Sequence, residues 1–298
     1  MKTAVTGAFG YTGQYIARRL LDRGDEVVTL TGHPRPDERI RAFPFSFYDP
    51  PRMAESLAGC RVLYNTYWVR FDRGAQTYAN AIRNTLALLK AAEMAGVERI
   101  VHVSITNPSL DSPLPYFRGK AILEDEIRKS RLSYAIVRPT VIFGPEDILV
   151  NNLAFLLRRF PVFLIPGSGQ YRLQPVFVED MTRIAVEAAD RADNLVLDAV
   201  GPETFTFDEL VCLIARTVGS RARILRAPPG LALFGARVLG LFLRDVLLTS
   251  DEVDGLMAGL LVSRDPPAGT MRLTEWLSAN AGQVGRTHTS ELQRHYAN

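Results

Sequence analysis

The chain begins with a pattern of apolar and small residues that predicts a strand, a tight turn and a helix in immediate succession. Residues 1–5 form a short, mainly apolar run, and glycines follow at positions 7, 10 and 13. From residue 14 to residue 21 the apolar side chains recur at helical spacing. Three elements are therefore predicted within the first 21 residues.

The same alternation of apolar runs and helical periods continues through the first half of the chain. It predicts an α/β fold in which a doubly wound parallel sheet has helices on both faces. The predicted strands are 26–31, 43–48, 62–67, 99–105 and 133–137, and the predicted helices are 52–58, 76–95 and 120–129.

After residue 144 the alternation weakens and helical patterns dominate. We expect helices at 151–159, 179–189 and 209–218, a short strand at 175–178 and a loop at 161–171. Either Asp208 or Thr206 is suited to cap the helix at 209. This predicts a core of residues 1–144 with about 175–198, and a smaller, mainly helical substrate lobe of about 145–174 with 199–298.

The glycine turn after the first strand carries the first chemical signal. In a strand–turn–helix context, Gly7 allows a sharp turn, Gly10 allows the backbone to approach a pyrophosphate, and Gly13 allows the helix to pack on the strand. The helix N-terminus then presents free N–H groups to the phosphates. The motif predicts a dinucleotide-binding (Rossmann) unit, whose site also includes Phe9, Tyr11 and Thr12.

Composition narrows the class of protein. Of the 298 residues, 47% are hydrophobic and 22% are charged, which is typical of a soluble globular protein. The net charge of +3 and the lack of a basic block argue against nucleic-acid binding. Neither the histidines nor Cys60 and Cys212 have metal-ligand spacing, so no metal site is predicted. No signal-peptide pattern precedes the first strand, and a cytoplasmic protein is expected.

Residues 231–248 form the most apolar stretch of the chain. They are interrupted only by Arg237, Arg244 and Asp245, and three charges argue against a transmembrane helix. Arg237 and Arg244 are seven positions apart, so they are expected to share one helical face. The segment either packs on its own domain or docks to a membrane surface or a protein partner.

A tyrosine and a lysine four positions apart, Tyr116 and Lys120, follow the fifth predicted strand. On a helix they stand one turn apart, and a nearby ammonium lowers the pKa of a phenol. Such a tyrosine exchanges a proton with a carbonyl or alcohol while a nicotinamide moves hydride. Ser104 or Thr106, at the end of that strand, is placed to orient the substrate oxygen, with Thr106 favoured by its register.

Taken together, these motifs resemble the short-chain dehydrogenase/reductase superfamily, in its extended or atypical extended branch. Arg138-Pro139 before Phe143-Gly144-Pro145 adds to the likeness, as does the stretch from Val176 to Met181. The chain is most similar to the group with the Rossmann-type accessory subunit of respiratory complex I, and to nitrogen-metabolite-repressor-like proteins. The resemblance covers about residues 1–215.

The resemblance implies roles for further residues. Asp49, expected at the end of the third strand, would meet the adenine amino group. Three residues ending the fourth strand would line the adenosine and phosphates, and three after the sixth would lie near the nicotinamide amide. These two sets are Asn65, Thr66 and Tyr67, and Pro139, Thr140 and Val141. Pro113 and Pro115 leave open whether Tyr116 lies in a loop or on the helix.

The residues after the second strand distinguish between the two nicotinamide cofactors. NAD usually meets an acidic residue there, but this chain has Thr31, His33 and Arg35, and no acid before Asp37. Hydroxyl, imidazole and guanidinium groups suit the 2′-phosphate of NADP. NADP is therefore preferred, with NAD still possible.

Two functional hypotheses follow from the sequence. The leading one is an NAD(P)-dependent oxidoreductase or epimerase-like enzyme that transfers hydride to or from a small carbonyl or alcohol compound, with Tyr116 as acid/base. The alternative is a non-catalytic NAD(P)-binding protein with a redox-sensing, assembly or structural role. No motif identifies a small-molecule substrate, and the resemblance makes a homodimer plausible.

Overall fold

The structure, a computed structural model, describes residues 1–290 and Leu292. The strands are β1 (Lys2–Thr6), β2 (Glu26–Thr31), β3 (Ile40–Pro44), β4 (Val62–Asn65), β5 (Arg99–Val103), β6 (Ser133–Pro139), β7 (Ile142–Phe143), β8 (Val162–Pro166), β9 (Arg172–Leu173), β10 (Val176–Phe177), β11 (Leu195–Ala199), β12 (Phe205–Thr206) and β13 (Arg223–Ala227). The helices are α1 (Tyr11–Asp22), α2 (Pro50–Ser56), α3 (Tyr78–Met94), α4 (Pro115–Lys129), α5 (Leu149–Arg159), α6 (Val178–Ala189), α7 (Phe207–Thr217), α8 (Pro229–Leu243), α9 (Ser250–Met257) and α10 (Leu273–Asn280).

The chain divides into two compact units. The first contains Met1–Pro139 and Met181–Ala199, and the second contains Thr140–Asp180 and the described residues from Val200 onward. Residues 140–144 and 175–180, which the sequence analysis assigns to the dinucleotide-binding core, therefore lie in the second unit. They lie there because β7 pairs with β10 and the Thr140 hydroxyl donates to the Gln174 carbonyl.

The first unit is built on a seven-stranded parallel sheet in the order β11-β6-β5-β4-β1-β2-β3. The chain adds β2 and β3 on one side of β1 and then returns to add β4 on the other side. Between β1 and β4 the strand order reverses, and ligands bind at such switch points beside the carboxyl ends of the strands. The predicted doubly wound fold is confirmed.

Apolar packing holds both faces of this sheet. On one face a buried cluster joins the sheet to the helices α2, α3 and α4, with Leu63, Leu88, Ile100 and Ile127 among its members. On the other face α1 packs against β1 and β2. All four residues of β4 are buried, as expected for a central strand covered on both sides.

The third strand and the helix that carries Lys120 have other bounds than the sequence predicts. The third strand is residues 40–44 rather than 43–48, because its register with β2 ends at Pro44. Asp49 therefore follows the strand by five residues and caps α2, where its carboxylate accepts a hydrogen bond from the Arg52 N–H. Helix α4 begins at Pro115 as its first residue, a position proline favours, so Tyr116 is helical.

The second unit combines three small strand pairs with helices around its own core. The pairs are β7 with β10, β9 with β12, and β8 with β13. The core contains Phe143, Leu153, Leu210, Trp276 and Leu277. Helices α5 and α7 pack against each other within it.

Two predictions for this unit are wrong. Residues 161–171, predicted as a loop, contain β8, whose partner β13 lies about 60 residues further along the chain and leaves no local signal. Arg244 does not share a helical face with Arg237. It stops α8 at the C-cap in a left-handed conformation with φ of 53°.

The open choice of cap for α7 is resolved by its geometry. The Thr206 hydroxyl accepts from the Glu209 N–H, and the Glu209 carboxylate accepts from the Thr206 N–H, which forms a capping box. Asp208 lies in the first turn instead and pairs with Arg226.

Residues 231–248 do not form a single long helix. Among residues 1–290 and Leu292, no helix is long and apolar enough to cross a bilayer.

In the turn from β1 to α1, the backbones of Gly7 and Gly13 lie so close that position 13 has no room for a side chain. Gly7 has φ of 64°, and its N–H donates to the Leu30 carbonyl at 2.8 Å. A Cβ atom on Gly13 would lie 2.1 Å from the Gly7 carbonyl oxygen and 2.8 Å from its carbon. Since both atoms belong to the backbone, neither can move aside, and the helix reaches the strand only with glycine at position 13.

Gly13→Ala should therefore lower the melting temperature. The added methyl group has to push α1 away from β1, and overpacking of this kind costs about 3 kcal/mol. Gly32→Ala is the matched control, because a Cβ on Gly32 meets no atom within 4 Å. Thermal unfolding of both variants checks this, and a Gly13→Ala protein that melts with the wild type would contradict the packing described.

Candidate functional site

The site begins at the N-terminus of α1. The N-cap is Gly10, which offers no side-chain capping bond, and the first turn contains no acidic residue. The first intrahelical bond runs from the Gln14 N–H to the Gly10 carbonyl, so the amides of Thr12 and Gly13 in the first turn have no intrahelical acceptor. Phe9 lies in the turn just before it. Such an end attracts an anionic group such as a pyrophosphate.

The end of β4 is bonded to the end of β1 across the switch point. The Thr6 hydroxyl accepts from the N–H groups of Thr66 at 2.8 Å and Tyr67 at 3.0 Å. The Thr66 hydroxyl in turn donates to the Thr6 carbonyl at 2.6 Å. These bonds set the path of residues 65–67 beside the glycine turn.

Asn65 is a buried structural link rather than an open ligand group. Its amide oxygen accepts from the Tyr67 N–H and the Thr6 hydroxyl, and its Nδ2 lies 3.0 Å from His102 Nδ1. The His102 ring is fully buried, and its burial, with the nearby Lys120 charge, keeps the histidine pKa well below its usual range. His102 is therefore neutral and acts as an acceptor toward Asn65.

The loop after β2 carries the residues predicted to select the cofactor. Thr31 is buried at the strand end, and its hydroxyl accepts from the His33 N–H at 3.1 Å. His33 and Arg35 are exposed. Asp37, the first acid of this loop, accepts from the Arg39 N–H at 2.9 Å, and that bond holds its pKa below the usual value.

Aromatic rings gather in the segments that follow β3 and β4. Phe45 and Phe47 stack at 4.6 Å, and the Tyr67 ring lies 5.2 Å from the first and 5.1 Å from the second. The Tyr67 hydroxyl accepts from Asn84 Nδ2 at 2.9 Å. Asp49, predicted to meet the adenine amino group, is exposed.

Tyr116 packs in an aromatic cluster at the start of α4. Its ring meets Trp68 edge-on at 5.8 Å and Tyr78 edge-on at 6.0 Å. Gly119 makes room for the indole, since a Cβ there would lie 2.9 Å from the Trp68 ring. Trp68 therefore lies directly on the face of α4 that carries the tyrosine.

Lys120 is turned toward the backbone and toward the same indole. Its Nζ donates to the Val103 carbonyl at 2.8 Å and lies 4.6 Å from the centre of the Trp68 ring. The side chain is buried, and burial lowers the pKa of Lys120 to about 7, against the opposing charge of Glu124. Both members of the predicted pair thus contact Trp68.

A buried carboxylate fixes the neighbouring hydroxyl. Glu124 accepts from the Ser104 hydroxyl at 2.6 Å and from Arg138 Nε at 2.8 Å, and it also pairs with Arg128 at 3.0 Å. Ser104 is one of the two residues predicted to orient a substrate oxygen. Its hydroxyl donates its hydrogen bond to Glu124 instead. Thr106 is fully buried, and its N–H donates to the Pro139 carbonyl at 3.0 Å.

The remaining candidates fall in the second unit. Thr140 is buried with its hydroxyl bonded to the Gln174 carbonyl, and the Val141 carbonyl accepts from the Val176 N–H at 2.8 Å.

Sequence reasoning missed three residues that define this site, namely Trp68, Glu124 and His102. Glu124 had a signal of its own, because it stands one helical turn after Lys120. Gly119 is a glycine inside a helix, which commonly marks a close packing contact, and it pointed indirectly to the packing of Trp68. Trp68 itself follows the predicted Asn65–Tyr67 stretch by one residue but has no motif.

The lowered pKa of Lys120 predicts a pH-dependent stability. Between the folded value of about 7 and the ordinary value of 10.5, the unfolded chain binds more protons at this group. The free energy of unfolding should therefore rise with pH in that window, by up to about 1.4 kcal/mol per pH unit.

Lys120→Met should lack this rise, because it has no group to protonate on unfolding. Urea unfolding at several pH values between 7 and 9 measures the difference between wild type and variant, which should grow with pH. Lys90→Met, at an exposed lysine of α3, should follow the wild type. A constant difference for Lys120→Met would refute the buried, easily deprotonated lysine.

Comparison with known proteins agrees with this geometry. A sequence model described as the NAD dependent epimerase/dehydratase family matches residues 3–199. The chain is 26% identical over 243 residues to NADH dehydrogenase (ubiquinone) 1 alpha subcomplex subunit 9, mitochondrial, of Arabidopsis thaliana, covering 75% of this chain and 60% of that protein. It is 24% identical over 235 residues to photosystem II assembly factor Ycf39 of Cyanophora paradoxa, covering 76% and 72%.

Among solved structures, UDP-glucuronic acid 4-epimerase from Bacillus cereus, in complex with UDP-glucuronic acid and NAD, has a TM-score of 0.70. The alignment covers 95% of this chain and 99% of that one at 19% identity, which is a likeness of fold. The family match runs from β1 to the end of β11, and it confirms the resemblance that the glycine turn and the Tyr116–Lys120 pair indicate. The chain belongs to the NAD dependent epimerase/dehydratase family, the extended branch of the short-chain dehydrogenases and reductases.

Proposed function

We propose that this protein binds NADP in its first unit and has an assembly or structural role that does not turn the cofactor over. The observation that carries the proposal is the position of Trp68, whose ring contacts both Tyr116 and Lys120. In this arrangement the lysine ammonium donates a hydrogen bond to the Val103 carbonyl.

Binding is supported by the geometry of the switch point. The glycine turn brings an uncapped helix end to the carboxyl edge of β1, and the first turn has no acid to repel phosphate. Residues 65–67 flank it from β4, held by Thr6. The residues present fit a dinucleotide, whose nicotinamide would supply hydride chemistry when bound.

The preference for NADP is supported by the loop after β2. His33 and Arg35 are exposed there, and a guanidinium binds a phosphate through two parallel hydrogen bonds. The first acid of this loop, Asp37, pairs with Arg39 and does not occupy the strand end, where NAD would need an acidic residue.

Arg35→Ala should weaken NADPH binding by about tenfold to a hundredfold, the loss expected for a charged hydrogen bond to a phosphate. NADH, which lacks the 2′-phosphate, should bind the variant and the wild type alike. Arg39→Ala is the matched control on the same loop and should leave both affinities unchanged. Calorimetric titration measures the affinity of each protein for both nucleotides. If Arg35→Ala lost as much affinity for NADH as for NADPH, Arg35 would not be the residue that binds the 2′-phosphate.

The chemistry of the lysine argues against turnover. A catalytic tyrosine needs a nearby positive charge to favour its phenolate. With a pKa of about 7 Lys120 is only partly protonated at neutral pH, and its ammonium is directed at a carbonyl. Both features reduce the electrostatic stabilisation that Lys120 would give to a Tyr116 phenolate.

The relatives point the same way. The Arabidopsis relative is named as a subunit of an NADH dehydrogenase, and the Cyanophora relative is named as a photosystem II assembly factor. Both names refer to large protein assemblies, and on that ground we propose a protein partner for this chain.

A second candidate is the oxidoreductase or epimerase-like enzyme that the sequence favours. The start of α4 at Pro115 supports it, because Tyr116 and Lys120 are then both helical and one turn apart. In that case Tyr116 exchanges the proton with a small carbonyl or alcohol compound.

Deuterium transfer from NADPH labelled at the reactive carbon separates the two functions. The protein is incubated with labelled NADPH and a mixture of small cellular metabolites, and mass spectrometry follows the label. We expect the wild type to transfer no more label than Tyr116→Phe. The enzyme hypothesis predicts transfer by the wild type that falls by at least about a hundredfold in Tyr116→Phe, and that result would overturn our proposal.

A further inference from the structure

Helix α8 presents five large apolar side chains to solvent and buries two small residues in its own unit. Ala232 and Gly240 are the residues it buries, and a Cβ on Gly240 would lie 2.6 Å from the Asp245 carbonyl oxygen. The outer face carries five apolar side chains, which we call the α8 stripe. Their exposed fractions are 54% for Leu231, 64% for Phe234, 38% for Val238, 80% for Leu241 and 81% for Phe242.

The α8 stripe is continuous. At 100° per residue, its five positions fall within about 100° of the helix circumference, as in a helix that lays one face into an apolar medium. The helix has 15 residues and is about 22 Å long, which is less than the roughly 30 Å of a bilayer core. Its length suits a helix lying in the plane of a membrane interface.

Basic residues flank the stripe along the chain. Between residues 221 and 249 the chain has five arginines, and the one acid, Asp245, is buried. All five are exposed, and among them Arg226 is paired with Asp208. Acidic residues resume at Asp251 in α9. The five are Arg221, Arg223, Arg226, Arg237 and Arg244.

We propose that the α8 stripe docks on the surface of an anionic lipid bilayer. Exposed leucine and phenylalanine side chains gain free energy by entering the acyl boundary, and the arginines reach the anionic headgroups. The charge complementarity favours lipid over a second copy of this chain. In a twofold dimer through α8, the arginines of one copy would face the arginines of the other copy, and like charges repel.

Vesicle co-sedimentation tests the proposal with the full chain. Phosphatidylcholine vesicles are compared with vesicles in which about a third of the lipid is phosphatidylglycerol, each at low and high salt. The wild type should bind the anionic vesicles most strongly, and high salt should weaken that binding. A wild type that does not sediment with anionic vesicles overturns the proposal.

Two variants separate the apolar and the charged contributions. Leu241→Gln with Phe242→Gln should reduce binding by at least about tenfold, the loss expected for two apolar side chains. Both positions are largely exposed, so the melting temperature should not change. Arg237→Gln should reduce binding about fivefold, and only on anionic vesicles.

The matched control removes exposed apolar surface elsewhere. Met94→Gln with Leu110→Gln replaces two side chains of the first unit that are 51% and 54% exposed. This variant should bind vesicles like the wild type, and an equal loss would overturn the proposal. Light scattering adds a second check: if the α8 variant converts a wild-type dimer to a monomer, the stripe is an interface between copies and the lipid assignment is wrong.

Discussion

The close approach of Gly13 to the Gly7 carbonyl is the constraint on which the nucleotide-binding unit depends. With no side chain between them, α1 starts directly above the end of β1, and its open amides lie at the point where the strand order reverses. The end of β4 is then tied to the same place by the Thr6 hydroxyl. The position of the anion-binding helix end at the switch point thus depends on one backbone contact.

Further along the sheet edge, buried polar groups are satisfied by one another. Glu124 binds Ser104, Arg138 and Arg128, while Lys120 binds the Val103 carbonyl and the face of Trp68. A buried carboxylate that accepts from three donors is held in place, because each hydrogen bond offsets part of the free-energy cost of its desolvation. The groups that would perform acid–base chemistry in an active relative are here part of the packing, which is why we favour binding over turnover.

Signals local in sequence were enough to predict the fold but not the side-chain contacts of the site. Periodicity and glycine spacing predicted β1, β2 and the alternation of strands with helices, because these features depend on residues close in sequence. Strand β8 was missed because its partner lies about 60 residues away, and β3 was shifted because phenylalanines continue past Pro44. The contact of Trp68 with Tyr116 and Lys120 joins two distant segments, so no spacing rule reveals it, although Gly119 marks where the indole packs.

The most direct test of the central claim is thermal unfolding of the wild type with and without saturating NADPH. A ligand present at 100 times its Kd stabilises the folded state by about 2.7 kcal/mol, which gives a clear rise in melting temperature. We predict such a rise with NADPH and a smaller one with NADH at the same concentration. An unchanged melting temperature with both nucleotides would contradict the account, because the glycine turn would then be a structural feature without a ligand.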